Sequence, residues 1–411
     1  MPEFLELLSP SAAREILFKH LPSVVPSVEE IATPAALGRV LAAGVVAGDP
    51  LPAFARSTVD GYAVRASDTF GASETLPAYL QVVGEIPMGR APDCAVGAGQ
   101  AALIHTGGML PDGADAVIMV EYTQPVTANE IEVLRAVAVG ENILKAGEDV
   151  AVGEEVLATG SCLRPAEIGG LLALGRTMVK VAGRPRIAIL SSGDEVIPPE
   201  QTPGPGQVRD INSYSLGALV EQAGGQPVFY GIIPDQRAAL EATLRQALSA
   251  CQAVVITAGS SASTRDLTAE TIQKMGEPGV LVHGINVKPG KPTILGVCEG
   301  KAVIGLPGNP VSALVIAQIF VVPVVQYLLG MKQLPVHAAV TARLAINLAS
   351  QAGREDWVPV RLLPGSQAWV AEPIFYKSNL IFSLARADGL LHIDADATGL
   401  STGDWVQVEL L

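Results

Sequence analysis

The sequence has few cysteines and few aromatic or charged residues for its length of 411 residues. The four cysteines (Cys94, Cys162, Cys251 and Cys298) are far apart and form no CxxC pair. This spacing indicates reduced thiols in a cytoplasm and argues against a disulfide framework. The five histidines (His20, His105, His283, His337 and His392) lack the spacing of metal ligands.

Targeting and membrane-spanning segments are also scarce. The first residues carry Glu3 and Glu6 and have no basic region before an apolar core, so we expect no signal peptide. The one transmembrane candidate, Val311–Leu329, contains polar residues and a proline (Ser312, Gln318, Pro323 and Gln326). We therefore expect this segment to be a buried helix.

The composition that is present favours a multidomain globular protein. Hydrophobic residues make up 49% of the chain, and glycine (42) and proline (30) are abundant. This length exceeds the ~250–300 residues at which single cores stop growing. The net charge of −14 argues against nucleic acid or an anionic membrane as a general partner, and it makes local lysine clusters noticeable.

Two proline- and glycine-rich turns suggest an anion site. The first, Lys288-Pro289-Gly290-Lys291-Pro292, lies between strand-like runs at Leu281–Val287 and Thr293–Val297. The prolines fix φ and Gly290 permits a positive φ, so the bend is rigid and carries two ammonium groups. The alternative is that both turns serve geometry only.

The second turn, Pro307-Gly308-Asn309-Pro310, follows the strand-like run Lys301–Leu306 and opens a long apolar helix. Proline suits the first helical position, and free amides at a helix start attract anions. We expect the two turns to form one pocket, because each follows a strand.

From Gly183 onward, strand and helix patterns alternate over about 150 residues, which predicts an open, largely parallel α/β sheet. Helices are expected at Ser213–Ala223, capped by Asn212, and at Asp235–Ala250 and Leu267–Met275. Ligands bind beyond the carboxyl ends of such strands. The acids Glu195, Asp210 and Asp266 would then converge near the lysines and hold Mg²⁺. Alternatively, each acid caps a helix or pairs with a surface lysine.

The N-terminal part is different. Helical patterns occur at Ser11–His20, with Ser9 or Ser11 as cap, and at Val28–Ala43, and Pro50–Gly160 is β-rich. Three stretches in it could be functional or ordinary turns: Ser57–Val64 with Asp60, His105–Gly108 with Thr106, and Ala146–Val150 with Asp149. From about Leu334 the strands alternate like a small barrel, in which we recognise no catalytic constellation.

These motifs resemble the MoeA family of molybdopterin molybdenumtransferases, which includes the E domain of gephyrin. They are, in order, STVDGYAV, HTGG…PDGADAVIMVE, AGEDV, SSGDEV, GQVRDINS, INVKPGKP, GLPGNPVSALV and SLARADGLL. The resemblance implies a β-rich linker domain (27–51 and 151–182), a second β-rich domain (52–150), an α/β domain (1–26 and 183–332) and a C-terminal β-barrel (333–411). It also implies a homodimer whose active site lies between the α/β domain of one subunit and a β-rich domain of the other.

The family reaction inserts molybdate into adenylylated molybdopterin with Mg²⁺ and releases AMP. Carried onto this sequence, Asp60, Thr106 and Asp149 would come from the partner, while Glu195, Asp210 and Asp266 would line the α/β pocket. Substrate would contact Lys288 and Lys291, with Pro307, Pro310 and Ser312 at the pterin end. The remaining expected binding positions are Ser192, Gly193, Gly259, Ser261, Gly308 and Asn309.

One loop departs from the family pattern. Members commonly have GGxSxG before the aspartate, whereas this chain has Ala258-Gly259-Ser260-Ser261-Ala262-Ser263, and Arg265 precedes Asp266. The alternatives to a molybdenumtransferase are a pterin-binding scaffold that has lost turnover and a related α/β enzyme acting on another nucleotide anhydride. Tungstate in place of molybdate, and a docking molybdopterin adenylyltransferase, also fit the resemblance.

Overall fold

The fold is known from a computed structural model that describes residues 7–258, 262–332, 338–375 and 377–411, with the backbone alone for residues 262–265. The described residues form an α/β domain, β-rich N-terminal parts and a C-terminal barrel. The multidomain fold class expected from the sequence is thereby confirmed. The predicted domain boundary at residue 333 lies outside the described residues.

The α/β domain is built on a six-stranded sheet. The first four strands are parallel to one another, the fifth is antiparallel to the fourth, and the sixth is antiparallel to the fifth, so the sheet is largely parallel as predicted. In spatial order the strands are Gln226–Ile233, Arg186–Ser192, Ala253–Ala258, Lys301–Pro307, Ile294–Cys298 and Pro278–His283.

Helices cover both faces of this sheet, and the central strands are accordingly apolar throughout. All residues of Ala253–Ala258 are buried, which is typical of a parallel strand packed on both sides. Ile189 and Val255 face one core, whereas Ala188 and Val254 face the other. The covering helices are Pro10–His20, Asn212–Gln222, Arg237–Ala250, Ala262–Lys274 and Pro310–Leu328.

The helix Pro310–Leu328 has the length and composition of a membrane span, but 72% of its apolar window is buried inside the protein. It consists of Pro310–Ile316, a π-helical segment Ala317–Val321 and Val322–Leu328. Phe320 on the π-helical segment is fully buried in the core beneath the sheet. The expectation of a buried core helix is confirmed.

The helical pattern expected at Val28–Ala43 is wrong. Val28–Ala32 is a strand paired antiparallel with Met178–Ala182, followed by the 3₁₀ turn Thr33–Ala35. The β-branched residues fit a strand, and Pro34 interrupts any helix. Nearby elements are the paired strands Val45–Val46 and Glu155–Leu157 and the helix Pro165–Ala173. The predicted cap Ser9 does accept the amide of Ala12 at 3.2 Å.

The second β-rich part is a six-stranded sheet with a short additional pair, Arg56–Ser57 and Ile143–Leu144. Its buried residues form two small clusters on opposite faces, one around Val64 and Ile118 and one around Ala63 and Val117. In spatial order its strands are Ala116–Met119, Gly61–Val64, Gln100–Ile104, Ala78–Glu85, Glu130–Val133 and Thr123–Thr127, with 3₁₀ turns at Ala66–Thr69 and Val120–Tyr122.

The C-terminal part is a closed five-stranded barrel, as expected. The ring closes because Glu355–Pro364 pairs with both Trp369–Pro373 and Gly389–Ile393, while Ala339–Leu344 and Trp405–Leu410 complete it. The barrel also carries the short pair Leu348–Ala349 and Gly399–Leu400 and the helix Ile381–Ala385.

The strand predicted at Leu281–Val287 is wrong in one respect that matters for the site. The strand ends at His283, and Val287–Lys288 is a separate strand that pairs in parallel with Glu355–Asp356 of the barrel. Gly284, at φ +94°, lies between the two. The first lysine turn is therefore attached to the barrel as well as to the α/β domain.

Candidate active site

Two clefts of similar size open beside the carboxyl ends of the parallel strands. One has a volume of about 640 Å³ and the other of about 650 Å³. Both are lined by Asn309, which precedes the helix Pro310–Leu328. The predicted substrate residues are divided between the two clefts.

The sheet-end cleft follows the strands Arg186–Ser192, Ala253–Ala258 and Lys301–Pro307, as the rule for parallel sheets predicts. Of the predicted site residues it contains Ser192, Glu195, Asp210, Gly308, Asn309 and Pro310. Gly193 lies in the turn between Ser192 and Glu195, at φ +150°. A side chain on Gly193 would come within 2.9 Å of the Glu195 carboxylate, so this turn is tightly packed.

Ser192 has a partner that the sequence analysis missed. Its hydroxyl donates a 2.6 Å hydrogen bond to Oδ1 of Asp235, and the Asp235 amide bonds to Oδ1 of Asp194 at 3.2 Å. Asp235 comes two residues after the strand Gln226–Ile233. The strand-end rule that selected Glu195 would have selected Asp235 too, but this residue was assigned to the start of a helix.

Asp210 caps the helix that Asn212 was expected to cap. Its Oδ1 accepts the Ser213 amide at 3.1 Å and its Oδ2 accepts the Ser213 hydroxyl at 2.6 Å, and the residue is only 6% exposed. The helix instead begins at Asn212. Asp210 therefore caps a helix, which the sequence analysis gave as the alternative to binding Mg²⁺. It still lines the cleft.

Asn212 contributes an acceptor to the same wall. Its Nδ2 donates to the carbonyl oxygen of Gly308 at 2.8 Å, which fixes the orientation of the amide. Its Oδ1 is buried and has no hydrogen-bond partner among the residues that the structure describes. Because a buried polar atom without a partner is costly, such an atom at a cleft wall favours a ligand that donates a hydrogen bond.

The predicted metal ligands do not form a compact cluster. Glu195 and Asp266 are exposed, Asp210 is turned to Ser213, and in the ranges the structure describes no three His, Cys, Asp or Glu side chains are grouped to hold a metal ion. Asp266 lies near the start of the helix Ala262–Lys274. Gly259 and Ser261 lie outside the described residues.

The lysine cleft is the second of the two. It contains the predicted residues Lys288, Lys291, Pro307, Asn309 and Ser312, together with Pro289, Gly290 and Pro292 of the turn. The barrel supplies the rest of its lining: Asn347, Leu348, Ala349, Arg354, Asp356, Trp357, Val358, Ile374, Phe375 and Ser378. The barrel, in which no functional residues were recognised, therefore forms one side of the cleft.

Arg354 adds a third cation that the sequence analysis missed. Its Nε and Nη2 donate to the two oxygens of Asp356 at 2.7 and 3.0 Å, and the Asp356 side chain is only 4% exposed. This bidentate pair holds the guanidinium in place. Among the lining residues that the structure describes, three cations and one carboxylate give the cleft a positive balance in a chain of net charge −14.

Gly290 is required by the packing of the lysine turn. Its φ is +115°, and a Cβ at this position would lie 2.2 Å from Cγ1 of Ile316. The carbonyl oxygen of Gly290 also accepts the Thr293 hydroxyl at 2.7 Å. The predicted rigid bend with a positive φ is confirmed, and its rigidity comes from contact with the long helix as well as from the prolines.

The start of the long helix is partly occupied by the barrel. The Val311 amide, expected to be free for an anion, donates to the carbonyl oxygen of Ser378 at 3.1 Å. Nδ2 of Asn309 donates to the Ser378 hydroxyl at 3.0 Å. The segment around Ser378 therefore separates the two clefts, with Ser378 lining one and Asn379 the other.

Asp60 and Thr106 meet on the β-rich sheet. Oδ1 of Asp60 accepts the Thr106 amide at 2.8 Å and the Thr106 hydroxyl at 3.1 Å. These hydrogen bonds lower the pKa of the Asp60 carboxyl, the one from the Thr106 amide most and the one from the Thr106 hydroxyl next. His105 lies between two acids, with Nε2 3.1 Å from Glu85 and Nδ1 3.7 Å from Asp60.

Asp149 lies on a separate loop, where its amide donates to the carbonyl oxygen of Leu51 at 2.9 Å. Asp60, Thr106 and Asp149 do not belong to the described residues that line either cleft. Within one chain, the predicted α/β residues and the barrel residues therefore lie together at the clefts, whereas Asp60, Thr106 and Asp149 lie on the β-rich part.

Comparison with known proteins places the whole chain in one family. Residues 8–175 match the MoeA N-terminal region, residues 188–327 a probable molybdopterin-binding domain, and residues 341–411 the MoeA C-terminal region. A putative molybdopterin biosynthesis protein of Methanocaldococcus jannaschii is 34% identical, over 98% of each chain. A molybdopterin molybdenumtransferase of Nostoc is 33% identical, over 91% of this chain and 86% of that one.

Solved structures agree with this assignment. The MoeA protein of Pyrococcus horikoshii OT3 superposes with a TM-score of 0.85 at 33% identity, covering 99% of this chain and all of that one. A second MoeA structure from the same species gives 0.77 at 37% identity, covering 98% of this chain and 99% of that one. The chain therefore belongs to the MoeA family, the molybdopterin molybdenumtransferases of molybdenum cofactor biosynthesis.

Proposed function

We propose that this protein inserts molybdate into adenylylated molybdopterin in the cytoplasm, in a Mg²⁺-dependent reaction that releases AMP. The observation that carries the proposal is the pair of clefts that share Asn309. The described lining of the lysine cleft has Lys288, Lys291 and Arg354, whereas the sheet-end cleft combines Arg209 with several oxygen acceptors, among them those of Ser192 and Asn212. A substrate with a heterocycle at one end and phosphates beside it could place the heterocycle against the oxygen acceptors and the phosphates against the lysine-cleft cations.

The cations of the lysine cleft would bind the anionic reactants. Lys288 and Lys291 are exposed on a bend that Gly290 holds against Ile316, and Arg354 is held by Asp356. Charges that are fixed before the substrate arrives stabilise developing negative charge without reorganisation. In this proposal they hold molybdate and the phosphoanhydride while the bond to AMP is broken.

The sheet-end cleft would orient the pterin. The Ser192 hydroxyl donates its hydrogen bond to Asp235, and Nδ2 of Asn212 donates to the carbonyl oxygen of Gly308. Each group therefore presents an oxygen that can accept a hydrogen bond. A pterin carries amino and ring N–H donors, which would satisfy these oxygens and fix the ring.

Asp266 and Glu195 are the carboxylates available for Mg²⁺, since both are exposed and Asp210 is engaged by Ser213. Mg²⁺ is commonly held by one or two carboxylates together with substrate phosphates and water, so a full protein cage is unnecessary. When bound, the ion would offset charge on the phosphoanhydride. Glu195 lines the sheet-end cleft, and Asp266 lies in the first half of the helix Ala262–Lys274, which follows the strand Ala253–Ala258.

We also propose a homodimer with a shared active site. Asp60, Thr106 and Asp149 lie away from the lining of both clefts, in the part of the chain that the structure describes. The Asp60 carboxyl is nevertheless 62% exposed and is held by two bonds from Thr106. A second subunit would bring these residues to the cleft of its neighbour.

Subunit mixing tests the shared site. Asp60→Asn and Lys291→Ala are each expected to be inactive, and a refolded equimolar mixture should regain about one quarter of wild-type turnover, because half the dimers carry one intact site. If both residues act within one chain, the mixture stays inactive. Native mass spectrometry of the same samples verifies that mixed dimers have formed, because the two variant chains differ in mass.

The decisive experiment for the reaction measures AMP release from adenylylated molybdopterin, with and without Mg²⁺ and molybdate. Release that requires both supports the proposal. Tight binding without release would favour a scaffold, and would direct attention to the altered loop before Asp266. Replacing molybdate by tungstate in the same assay determines the metal preference, and adding a molybdopterin adenylyltransferase shows whether a second protein delivers the substrate.

A further inference from the structure

His392 on the C-terminal barrel lies between two acids. Its Nε2 is 3.1 Å from Oε2 of Glu355, and its Nδ1 is 3.5 Å from Oδ1 of Asp394. An ionised carboxylate only accepts hydrogen bonds, so Nε2 carries the proton that is donated to Glu355. The Glu355 side chain is 17% exposed and that of Asp394 is 82% exposed. The contact with Glu355 is therefore the stronger of the two, because solvent screens the other.

The imidazole ring of His392 also stacks on Trp357. The two residues are direct partners in the antiparallel pairing of Glu355–Pro364 with Gly389–Ile393. Their ring centroids are 4.5 Å apart and the ring planes are inclined by 27°. Trp357 in turn packs against a buried cluster that contains Val311 of the helix Pro310–Leu328, and it lines the lysine cleft.

The two contacts of His392 lie on either side of Asp356 in the chain. Successive residues of a strand point to opposite faces, so Glu355 and Trp357 share one face and Asp356 points to the other. There Asp356 accepts the bidentate hydrogen bonds of Arg354. His392 therefore holds both neighbours of the carboxylate that orients this guanidinium.

The same segment is attached to the lysine turn. Glu355–Asp356 pairs in parallel with Val287–Lys288, and the Glu355 amide donates to the carbonyl oxygen of Asn286 at 3.1 Å. A side chain that fixes Glu355 thus acts on two cations of the cleft, one through the ion pair and one through the strand.

We propose that His392 is a positioning residue of the lysine cleft, which acts through Glu355 and Trp357. It holds the segment that carries Arg354 and pairs with Lys288, so that the cations are fixed before the substrate arrives. This inference rests on the proposed function, because it takes the lysine cleft as the site of the anionic part of the substrate. It assigns no contact between His392 and the substrate.

Two substitutions separate the two contacts. His392→Phe keeps a ring that can stack on Trp357 but lacks the donor, whereas His392→Gln keeps a donor for Glu355 but lacks the ring. Hydrogen exchange of a peptide that contains Glu355 measures opening of the segment. Each variant is expected to accelerate this exchange about fivefold, and His392→Ala should accelerate it more than either.

Asp394→Asn is the matched control, because it changes the exposed acid on the other side of the same ring. It should leave the exchange rate unchanged. A peptide from Ala339–Leu344, which pairs with other strands of the barrel, should keep its wild-type rate in every variant. The inference is overturned if both peptides accelerate equally, which would mean that His392 stabilises the barrel as a whole, or if Asp394→Asn matches His392→Phe.

Calorimetric binding of adenylylated molybdopterin connects the segment to the cleft. His392→Ala should raise Kd by up to about tenfold, because the substrate must then order the segment as it binds. The value of kcat at saturating substrate should not change, since the bound substrate restores that order. His392→Phe and His392→Gln should each recover part of the affinity. Wild-type affinity in His392→Ala would overturn the inference.

The outcome is separable from that of the proposed function. Substrate binding that depends on His392, without release of AMP, contradicts the reaction and leaves the positioning role standing. Normal release of AMP with an affinity independent of His392 contradicts the positioning role alone.

Discussion

The amide of Val311 donates a 3.1 Å hydrogen bond to the carbonyl oxygen of Ser378, which joins the start of the core helix to the C-terminal barrel. Asn309 strengthens the joint, because its Nδ2 bonds to the Ser378 hydroxyl at 3.0 Å. The barrel is therefore part of the site, and its segment around Ser378 lies between the two clefts.

Ser378→Ala is expected to weaken this contact between the start of the core helix and the barrel. It removes one neutral hydrogen bond, with a typical net contribution of about 1 kcal/mol, so the opening that exposes the Val311 amide should become roughly fivefold more frequent. Hydrogen exchange of a peptide that contains Val311 measures this directly. Ser383→Ala removes a hydroxyl that bonds to Leu380 outside the joint, and an equal acceleration in that variant would contradict the assignment.

Much of this arrangement could be predicted from the sequence. Buried apolar strands such as Ala253–Ala258 and the lysine turn were located because hydrophobic period and turn chemistry are local signals. Asp60 and Asp149 were recognised as functional only through the family resemblance. In the proposed homodimer their relation to the clefts depends on the second subunit, which no local pattern encodes.

Other features could not be predicted for the same reason. Val28–Ala32 carries a helical hydrophobic pattern, but its strand partner Met178–Ala182 lies about 150 residues away in the chain, and such tertiary pairing overrides local preference. Arg354 and Ser378 reach the lysine cleft only because Val287–Lys288 joins the barrel sheet. Nothing in the spacing of GREDW or of KSN indicates that contact.

Lys291→Ala and Asp266→Asn are each expected to lower turnover by about 10²–10³-fold, because loss of one preorganised charge contact typically costs roughly 2.7–4 kcal/mol of barrier. Both side chains are exposed, so folding should be unaffected. AMP release under saturating substrate, with circular dichroism of each variant, measures both effects. Lys274→Ala, on an exposed lysine at the end of the helix that contains Asp266, should retain wild-type turnover.

Gly290→Ala should destabilise the protein through two separable effects. The positive φ of +115° disfavours any side chain, and the new Cβ would overlap Ile316 at 2.2 Å. Gly38→Ala is a reference with a positive φ but no overlap, because Gly38 has φ +71° and a Cβ added to it would meet nothing within 4 Å. We expect Gly290→Ala to cost about 1–3 kcal/mol more than Gly38→Ala. Calorimetric unfolding of the two variants provides the comparison, and equal losses would show that Ile316 moves aside.

The pKa of the Asp60 carboxyl should lie below the usual aspartate value, which is about 3.9. Its pKa is lowered first by the Thr106 amide and then by the Thr106 hydroxyl. A depressed pKa in the folded protein means that the ionised form is favoured by folding. The resulting stabilisation is present above the unfolded pKa and is lost as pH falls through the folded one. Asp60 should therefore stay charged throughout the neutral range.

Thr106→Val tests the cause of this shift, because valine has nearly the same shape as threonine but lacks the hydroxyl. The amide of residue 106 remains, so the Asp60 pKa should rise only part of the way toward its ordinary value. Titration of the protein with ¹³C-labelled aspartate carboxyls, followed by NMR, gives the value in each variant. Thr123→Val removes a hydroxyl that bonds to Val120 elsewhere in the domain and should leave Asp60 unchanged. If the Asp60 pKa does not move in Thr106→Val, the amide of residue 106 alone lowers it. The variant retains the shape of threonine and should then keep full turnover.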